Sequence, residues 1–285
     1  MFRRILVPLD GSELAERALP CAEQLAVLGD ATLHLVRVVE PPAEMTWMPG
    51  PLYVALRAYA DPVERAMEEA ATYLNGLCTN LAARGVRNAV AVPCGPAAAT
   101  LLDYEREAAV DLVVMCSHGY GGLVRFALGS VAMHVLRHGA APVLLMRALD
   151  GPVSLQHAVV PLDGSARAEK ALRILHELAG PVVREVTLLR VIAAPDEGPA
   201  AERYLDEVAQ RLHGVGLVCE RRVAQGDPAQ VIIDVAGTDK LVVMATHGRS
   251  ALTRWALGSV ADRVARHGAA AVLLVRARNA VPETQ

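Results

Sequence analysis

The stretch ILVPLDGSELAERAL, Ile5 to Leu19, returns as AVVPLDGSARAEKAL, Ala158 to Leu172, which makes Asp10 and Asp163 equivalent at an offset of 153 residues (163 − 10). Further on, MCSHGYGGLVRFALGSVAMHVLRHGAAPVLLMR from Met115 returns as MATHGRSALTRWALGSVADRVARHGAAAVLLVR from Met244, at an offset of 129 (244 − 115). A repeat of this length decides the architecture before any local reading does. The chain holds two homologous domains in the same order, expected at residues 1–147 and 156–277. The offsets differ by 24 residues, so the first copy carries extra sequence. The place is about 41–63, PPAEMTWMPGPLYVALRAYADPV, where the second copy has only APDEGPAAE. The link between copies is short, with Gly151 and Pro152 as punctuation.

Within each copy, apolar runs of strand length alternate with helical stretches. They are ILVPL, ATLHLVRVV, NAVAVPC, DLVVMCS and PVLLM in the first, and AVVPL, VTLLRVI, LVCERRV, LVVMATH and AVLLV in the second. Runs of Val and Leu without clean alternation indicate strands covered on both faces. Each domain is therefore expected to be a doubly wound, Rossmann-like α/β domain, a five-stranded parallel sheet flanked by helices. Ser12 and Ser165 stand where they can cap the first helix. Gly139 and Gly268 close the last helices, as glycines suited to a left-handed cap.

Composition narrows the function classes. With 28 basic against 31 acidic residues and no run of five like charges, nothing marks a nucleic-acid footprint. Pro8 and Asp10 interrupt the first apolar run and no apolar stretch reaches about 18 residues, so a membrane segment or leader is not expected and a cytoplasmic protein is. The five cysteines are scattered without CxxC spacing, which points away from a disulfide framework or a zinc site and toward buried thiols.

In open α/β sheets ligands lie beyond the carboxyl ends of the strands, where strand order reverses. The first candidate loop is Pro8-Leu9-Asp10-Gly11-Ser12, repeated as Pro161-Leu162-Asp163-Gly164-Ser165. Its aspartate fits a ribose hydroxyl or a phosphate-bound metal, and equally a helix-capping carboxylate. The second loop leads to Gly129-Ser130 and Gly258-Ser259 at a helix start, where free amides and the helix dipole favour an anion, although a plain cap reads the same way. Arg125 and Arg254 precede these pairs as phosphate contacts or solvated side chains. His118 and His247 have no carboxylate spaced to orient them, and there is neither a nucleophile elbow nor a Walker lysine, so a structural role for both is the reading adopted and no catalytic residue is assigned.

Pro-Leu-Asp-Gly-Ser near the start, Ser/Thr-His-Gly after the fourth strand, nine residues, then Gly-Ser, together resemble the universal stress protein family. The likeness covers nearly all of both copies, with QGDPAQVI at Gln225 and a blurred counterpart, CGPAAATL, at Cys94. ATP-binding members of that family carry G-x-x-G-x9-G-[S/T]. The resemblance maps its second glycine onto Gly119 and Gly248, and its closing pair onto Gly129-Ser130 and Gly258-Ser259, followed by Val131 and Val260. The first glycine is replaced by Cys116 and Ala245. By the same mapping Pro8, Leu9, Asp10, Val38 and Met115, then Pro161, Leu162, Asp163, Val191 and Met244, line the adenosine end, and Arg249 adds a cation toward phosphate. What the resemblance implies is a stress-response sensor or carrier holding ATP or another adenine nucleotide, with Mg²⁺ as a candidate companion ion. It implies no strong catalysis, the repeats pairing through PVLLM and AVLLV, and room for a homodimer. The alternatives are a nucleotide-free interaction module, and a slow ATPase or autophosphorylating protein modified at Ser130 or Ser259. The second site is expected to be the tighter.

Overall fold

A computed structural model of the chain describes residues 1–41, 52–117, 128–147, 154–247 and 257–276, with the backbone alone described over 52–61. It divides into two compact bodies, Phe2–Gly139 and Ala140–Gln285, with Met1 grouped with the second.

The first body runs Arg4–Pro8 (β1), Glu13–Glu16 (α1), Leu19–Gly29 (α2), Thr32–Val36 (β2), Leu52–Ala83 (α3), Arg87–Ala91 (β3), Ala97–Glu107 (α4), Leu112–Cys116 (β4) and Ser130–His138 (α5). Its strands lie in the order β3-β2-β1-β4, all parallel. Ile5, Leu6 and Val7 are consecutive and each at most 1% exposed, and β4 is buried from end to end. Such strands have helices on both faces, which is why their sequences do not alternate. Ser12 caps α1, its hydroxyl accepting from Ala15 N at 3.1 Å. Asp30, at φ 51°, closes α2 in the left-handed region.

The second body runs Val143–Met146 (β5), His157–Pro161 (β6), Lys170–Leu178 (α6), Glu185–Ile192 (β7), a 3₁₀ turn at Pro195–Glu197, Gly198–Leu212 (α7), Val218–Gln225 (β8), Pro228–Ala236 (α8), Leu241–Ala245 (β9), Ser259–His267 (α9) and Ala271–Val275 (β10). The order is β5-β10-β9-β6-β7-β8, with every pair parallel except β5 against β10. There Leu145, Leu144 and Val143 stand opposite Val272, Leu273 and Leu274. Beyond β5 the buried Arg147 donates Nη2 to the carbonyls of Val264 and Ala265 in the last turn of α9. Loss of hydration pulls its guanidinium down to about 10. Asp227 caps α8, accepting from Gln230 N at 3.0 Å, with Pro228 following, so the Gly-Asp-Pro sequence is a helix start with its signals in order.

Two local expectations change. Gly139 and Gly268 are extended (φ −60° and −64°), not left-handed. Glycine is needed there for room, because a Cβ would sit 2.8 Å from the Val135 carbonyl oxygen and 2.7 Å from that of Val264. The run NAVAVPC gives a strand that stops at Ala91, two residues before Pro93, which has no N–H for the ladder, whereas β8 continues to Gln225. Part of the insertion is helix: α3 has 32 residues, with Pro62 inside it, against 15 in its counterpart α7, while residues 42–51 lie outside the described residues. Among the described residues no helix is long and apolar enough to cross a membrane.

Candidate functional site

In the first body β1 lies between β2 and β4, with Ile5 opposite Leu33 and Leu112. The chain leaves β1 toward β2 on one side and arrives at β4 from β3 on the other, so strand order reverses between β1 and β4. Loops from the carboxyl ends of these two strands border the crevice that such a reversal opens. The second body repeats this at β6 and β9, with Ala158 opposite Leu241.

Sequence dictates the first of these loops. Leu9 is buried and its N–H donates to the Val36 carbonyl at 2.8 Å, so β1 continues one residue as a bound loop. One carboxylate oxygen of Asp10 then accepts from Ser12 N at 3.0 Å and Ser12 Oγ at 2.6 Å, across Gly11 at φ 85°. This is an aspartate turn that needs glycine at its bend. In the second copy Leu162 N donates to Leu189 O at 2.8 Å, and Asp163 holds Ser165 N and Oγ at 2.9 and 2.6 Å across Gly164 at φ 78°. In both copies the turn uses one carboxylate oxygen, Oδ1, for both of these bonds.

The second loop joins the strand end to a helix start by one backbone bond. Gly129 N donates to Ser117 O at 2.8 Å, and Gly258 N to Thr246 O at 2.9 Å. Neither glycine supplies a side-chain cap, and the first intrahelical bonds at these ends come from Met133 N and Asp262 N to the glycine carbonyls. The amides of Ser130 and Val131, and of Ser259 and Val260, therefore stand in the first turn, where a helix has no internal acceptors to offer. Beside the second of these starts, His247 Nδ1 lies 3.0 Å from Thr246 Oγ1, and its Nε2 is enclosed with no partner among the described residues. An anionic ligand with acceptor oxygens fits such a donor set.

Of the residues singled out in the sequence, Pro8, Leu9, Asp10, Met115 and Cys116 stand at or just past the ends of β1 and β4, and Gly129, Ser130 and Val131 at the start of α5. Pro161, Leu162, Asp163, Met244, Ala245, Gly258, Ser259 and Val260 repeat that placement. Val38 is half-buried just past β2, whereas Val191 lies within β7. His118, Gly119, Arg125, Gly248, Arg249 and Arg254 lie outside the described residues. Cys116 is buried, and burial pushes its thiol up to about 12; Cys21 is raised to about 12 by the same cause. Thiols react as thiolates, so brief iodoacetamide treatment of the native protein at pH 8 is expected to label the exposed Cys94 and spare Cys21 and Cys116 until the chain is unfolded. Peptide mass mapping reads the result, and native labelling of Cys116 would show a thiol facing solvent.

Sequence reasoning missed a second duplicated cluster. Arg190 Nη1 donates to the Leu162 carbonyl at 3.2 Å, while the Arg37 guanidinium lies 5.4 Å over the Tyr73 ring and against Gly11, whose Cβ would meet Nη1 at 3.0 Å. Tyr73 donates to Glu16 at 2.8 Å and Tyr204 to Glu169 at 2.9 Å. Burial and the carboxylate both push the two phenols up. The arginines, like the glutamates, share the offset of the aspartates, 153 (190 − 37), a signal that the repeat contained.

With this geometry in place, comparison with known proteins adds a family. The sequence profile of the universal stress protein family matches residues 1–147 and again 154–276. A universal stress protein of Mycolicibacterium smegmatis is 28% identical over 290 residues, covering 96% of this chain and 97% of its own. One from Mycobacterium tuberculosis is 29% identical over 293 residues, covering 95% and 96%. Among solved structures, a universal stress protein from Archaeoglobus fulgidus superposes with a TM-score of 0.72 at 18% identity, covering 96% of this chain and 98% of its own, a likeness of fold.

Proposed function

This chain belongs to the universal stress protein family, and we propose that each repeat holds an adenine nucleotide at its switch-point crevice, as a sensor or carrier without strong catalysis. The observation that carries the reading is the duplicated pairing of an aspartate turn with an uncapped helix start across a strand-order reversal. In this reading Asp10 and Asp163 face ribose, the first-turn amides of α5 and α9 face phosphate, and backbone near Val38 and Val191 faces the base. Mg²⁺ would accompany phosphate rather than occupy a site of its own, since among the described residues no cluster of three His, Cys, Asp or Glu is positioned for a metal.

Slow hydrolysis follows from what the chain contains. Phosphoryl transfer needs cations at the developing charge. Arginine supplies most of the cations here, but the sequence shows no Walker lysine and no evident general base, so transfer is expected to be slow. Ser130 and Ser259, as first helical residues, are the hydroxyls that a slow phosphorylation would modify.

We further propose that β5 against β10 represents the pairing of the repeats within one chain, leaving a homodimer to form through other surface, and that the protein works in the cytoplasm without nucleic acid or membrane.

ATP is expected to raise the melting temperature and GTP far less. At 100 times its dissociation constant a ligand adds about 2.7 kcal/mol, roughly 5 °C for a chain of this size. Chromatography of nucleotide released on denaturation identifies what co-purifies. Equal shifts with ATP and GTP would overturn the adenine reading, and no shift with either would overturn nucleotide binding in favour of an interaction module.

A further inference from the structure

The first repeat carries a histidine pair that its nucleotide crevice does not use. His134 and His138 occupy successive turns of α5; both are exposed, and their rings lie 4.2 Å apart at a 33° tilt. His138 Nδ1 is 3.0 Å from the His134 carbonyl oxygen. A carbonyl only accepts, so Nδ1 holds the proton and the lone pair of His138 is on Nε2.

The second repeat shows what this position does when it is structural. His134 corresponds to Arg263, which pairs at 2.8 Å with Asp227, the N-cap of α8. In the first repeat that cap is Pro96, which has no side-chain acceptor, so the ion pair has no counterpart there and does not account for a polar residue at position 134. His138 keeps its counterpart in His267, so the pair is a property of the first repeat alone.

We propose that His134 and His138 form a two-imidazole site for a divalent transition-metal ion of the Ni²⁺ and Cu²⁺ class. Positions i and i+4 are neighbours on a helix, which holds two ligands on one face before the ion arrives. Imidazole suits Ni²⁺, Cu²⁺ and Zn²⁺, and a ring whose second nitrogen donates to a carbonyl is already oriented for ligation. Among the described residues no third His, Cys or carboxylate joins the pair, so water completes the coordination and the ion exchanges readily. Bound there, it braces the last two turns of the helix whose first residue is Ser130.

The test uses the full chain without an affinity tag and stripped of metal. Ni²⁺ titration by calorimetry is expected to show one dominant site, weakened at least tenfold in His134→Ala and in His138→Ala and unchanged in His176→Ala and Cys94→Ser. Helical content by circular dichroism should match wild type in all four. If wild type binds no better than His134→Ala, or if His176→Ala or Cys94→Ser removes the site, the proposal fails. Its outcome is independent of nucleotide, which is absent from the titration.

Discussion

Gly258→Val is expected to end nucleotide binding at the second repeat and to lower the stability of that body as well. Gly258 has an ordinary extended backbone, φ −59° and ψ 145°, so the change introduces no backbone strain. The obstacle is space. A Cβ would lie 3.0 Å from the Thr246 carbonyl oxygen and 3.6 Å from His247 Cα, and that carbonyl is the acceptor that fastens α9 to the end of β9. Valine adds two methyl groups to a contact that is already tight, so the helix start must move off the strand, at about 1–3 kcal/mol for an overpacked site. The same movement displaces the first-turn amides from the position in which they face phosphate. Gly258→Ala, with one carbon to accommodate, should fall between wild type and valine in both melting temperature and ATP affinity. A valine variant that melts with wild type and binds ATP equally well would remove Gly258 from the site.

The order of elements was legible because the repeat supplies two independent spellings of each strand. LVVMC and LVVMA are both buried throughout, and a run that is apolar in both copies is hard to mistake. Strand ends were less legible. Pro93 against Ala224 is a difference of one residue, and it separates a strand that ends at Ala91 from one that reaches Gln225. Helix ends misled for a different reason. Glycine after a helix signals a left-handed residue when its φ is the constraint, but at Gly139 and Gly268 the constraint is a carbonyl one turn back, which sequence does not display.

At the site, the residue types were readable and their partners were not. An Asp-Gly-Ser triplet announces a turn, but that one carboxylate oxygen would take both serine donors follows only from the fold. Arg37 and Arg190 do not stand out in the sequence, because a cation inside an apolar run reads as an interruption. The loop it covers is 28 residues away in the chain, from Leu162 to Arg190. Cys116 shows the converse: at a position where the family pattern has glycine, its side chain is buried, and the bulk of the residue alone does not say that.

The two repeats are expected to bind ATP unequally, the second about tenfold more tightly, because its ligand end is held in place before any ligand arrives. Eight registered pairs join β7 to β8 and carry Val191 inside the ladder. Five join β2 to β3, and past them the ladder thins to the Arg37–Ala91, Val39–Pro93 and Gly95–Val39 backbone bonds around Val38 and the isolated bridge from Val39 to Cys94. The loops differ in the same direction. Arg190 donates to the Leu162 carbonyl next to Asp163, whereas Arg37 lies over Tyr73, and Asp10 is the more exposed of the two aspartates. Ordering a side chain or loop on binding costs about 0.5–1.5 kcal/mol, and about 1.4 kcal/mol is a factor of ten in affinity, so one such difference suffices. Cys116 adds little to this ranking, since its side chain is buried. Calorimetry on Gly129→Val and Gly258→Val provides a matched comparison, because each glycine is the N-cap of its helix and donates to the residue just past the preceding strand. The Gly129 variant should keep the tighter binding event and the Gly258 variant only the weaker. If the tighter event survives in the Gly258 variant and vanishes in the other, strand pairing at the base end does not set the affinity, and the order of the two sites is reversed.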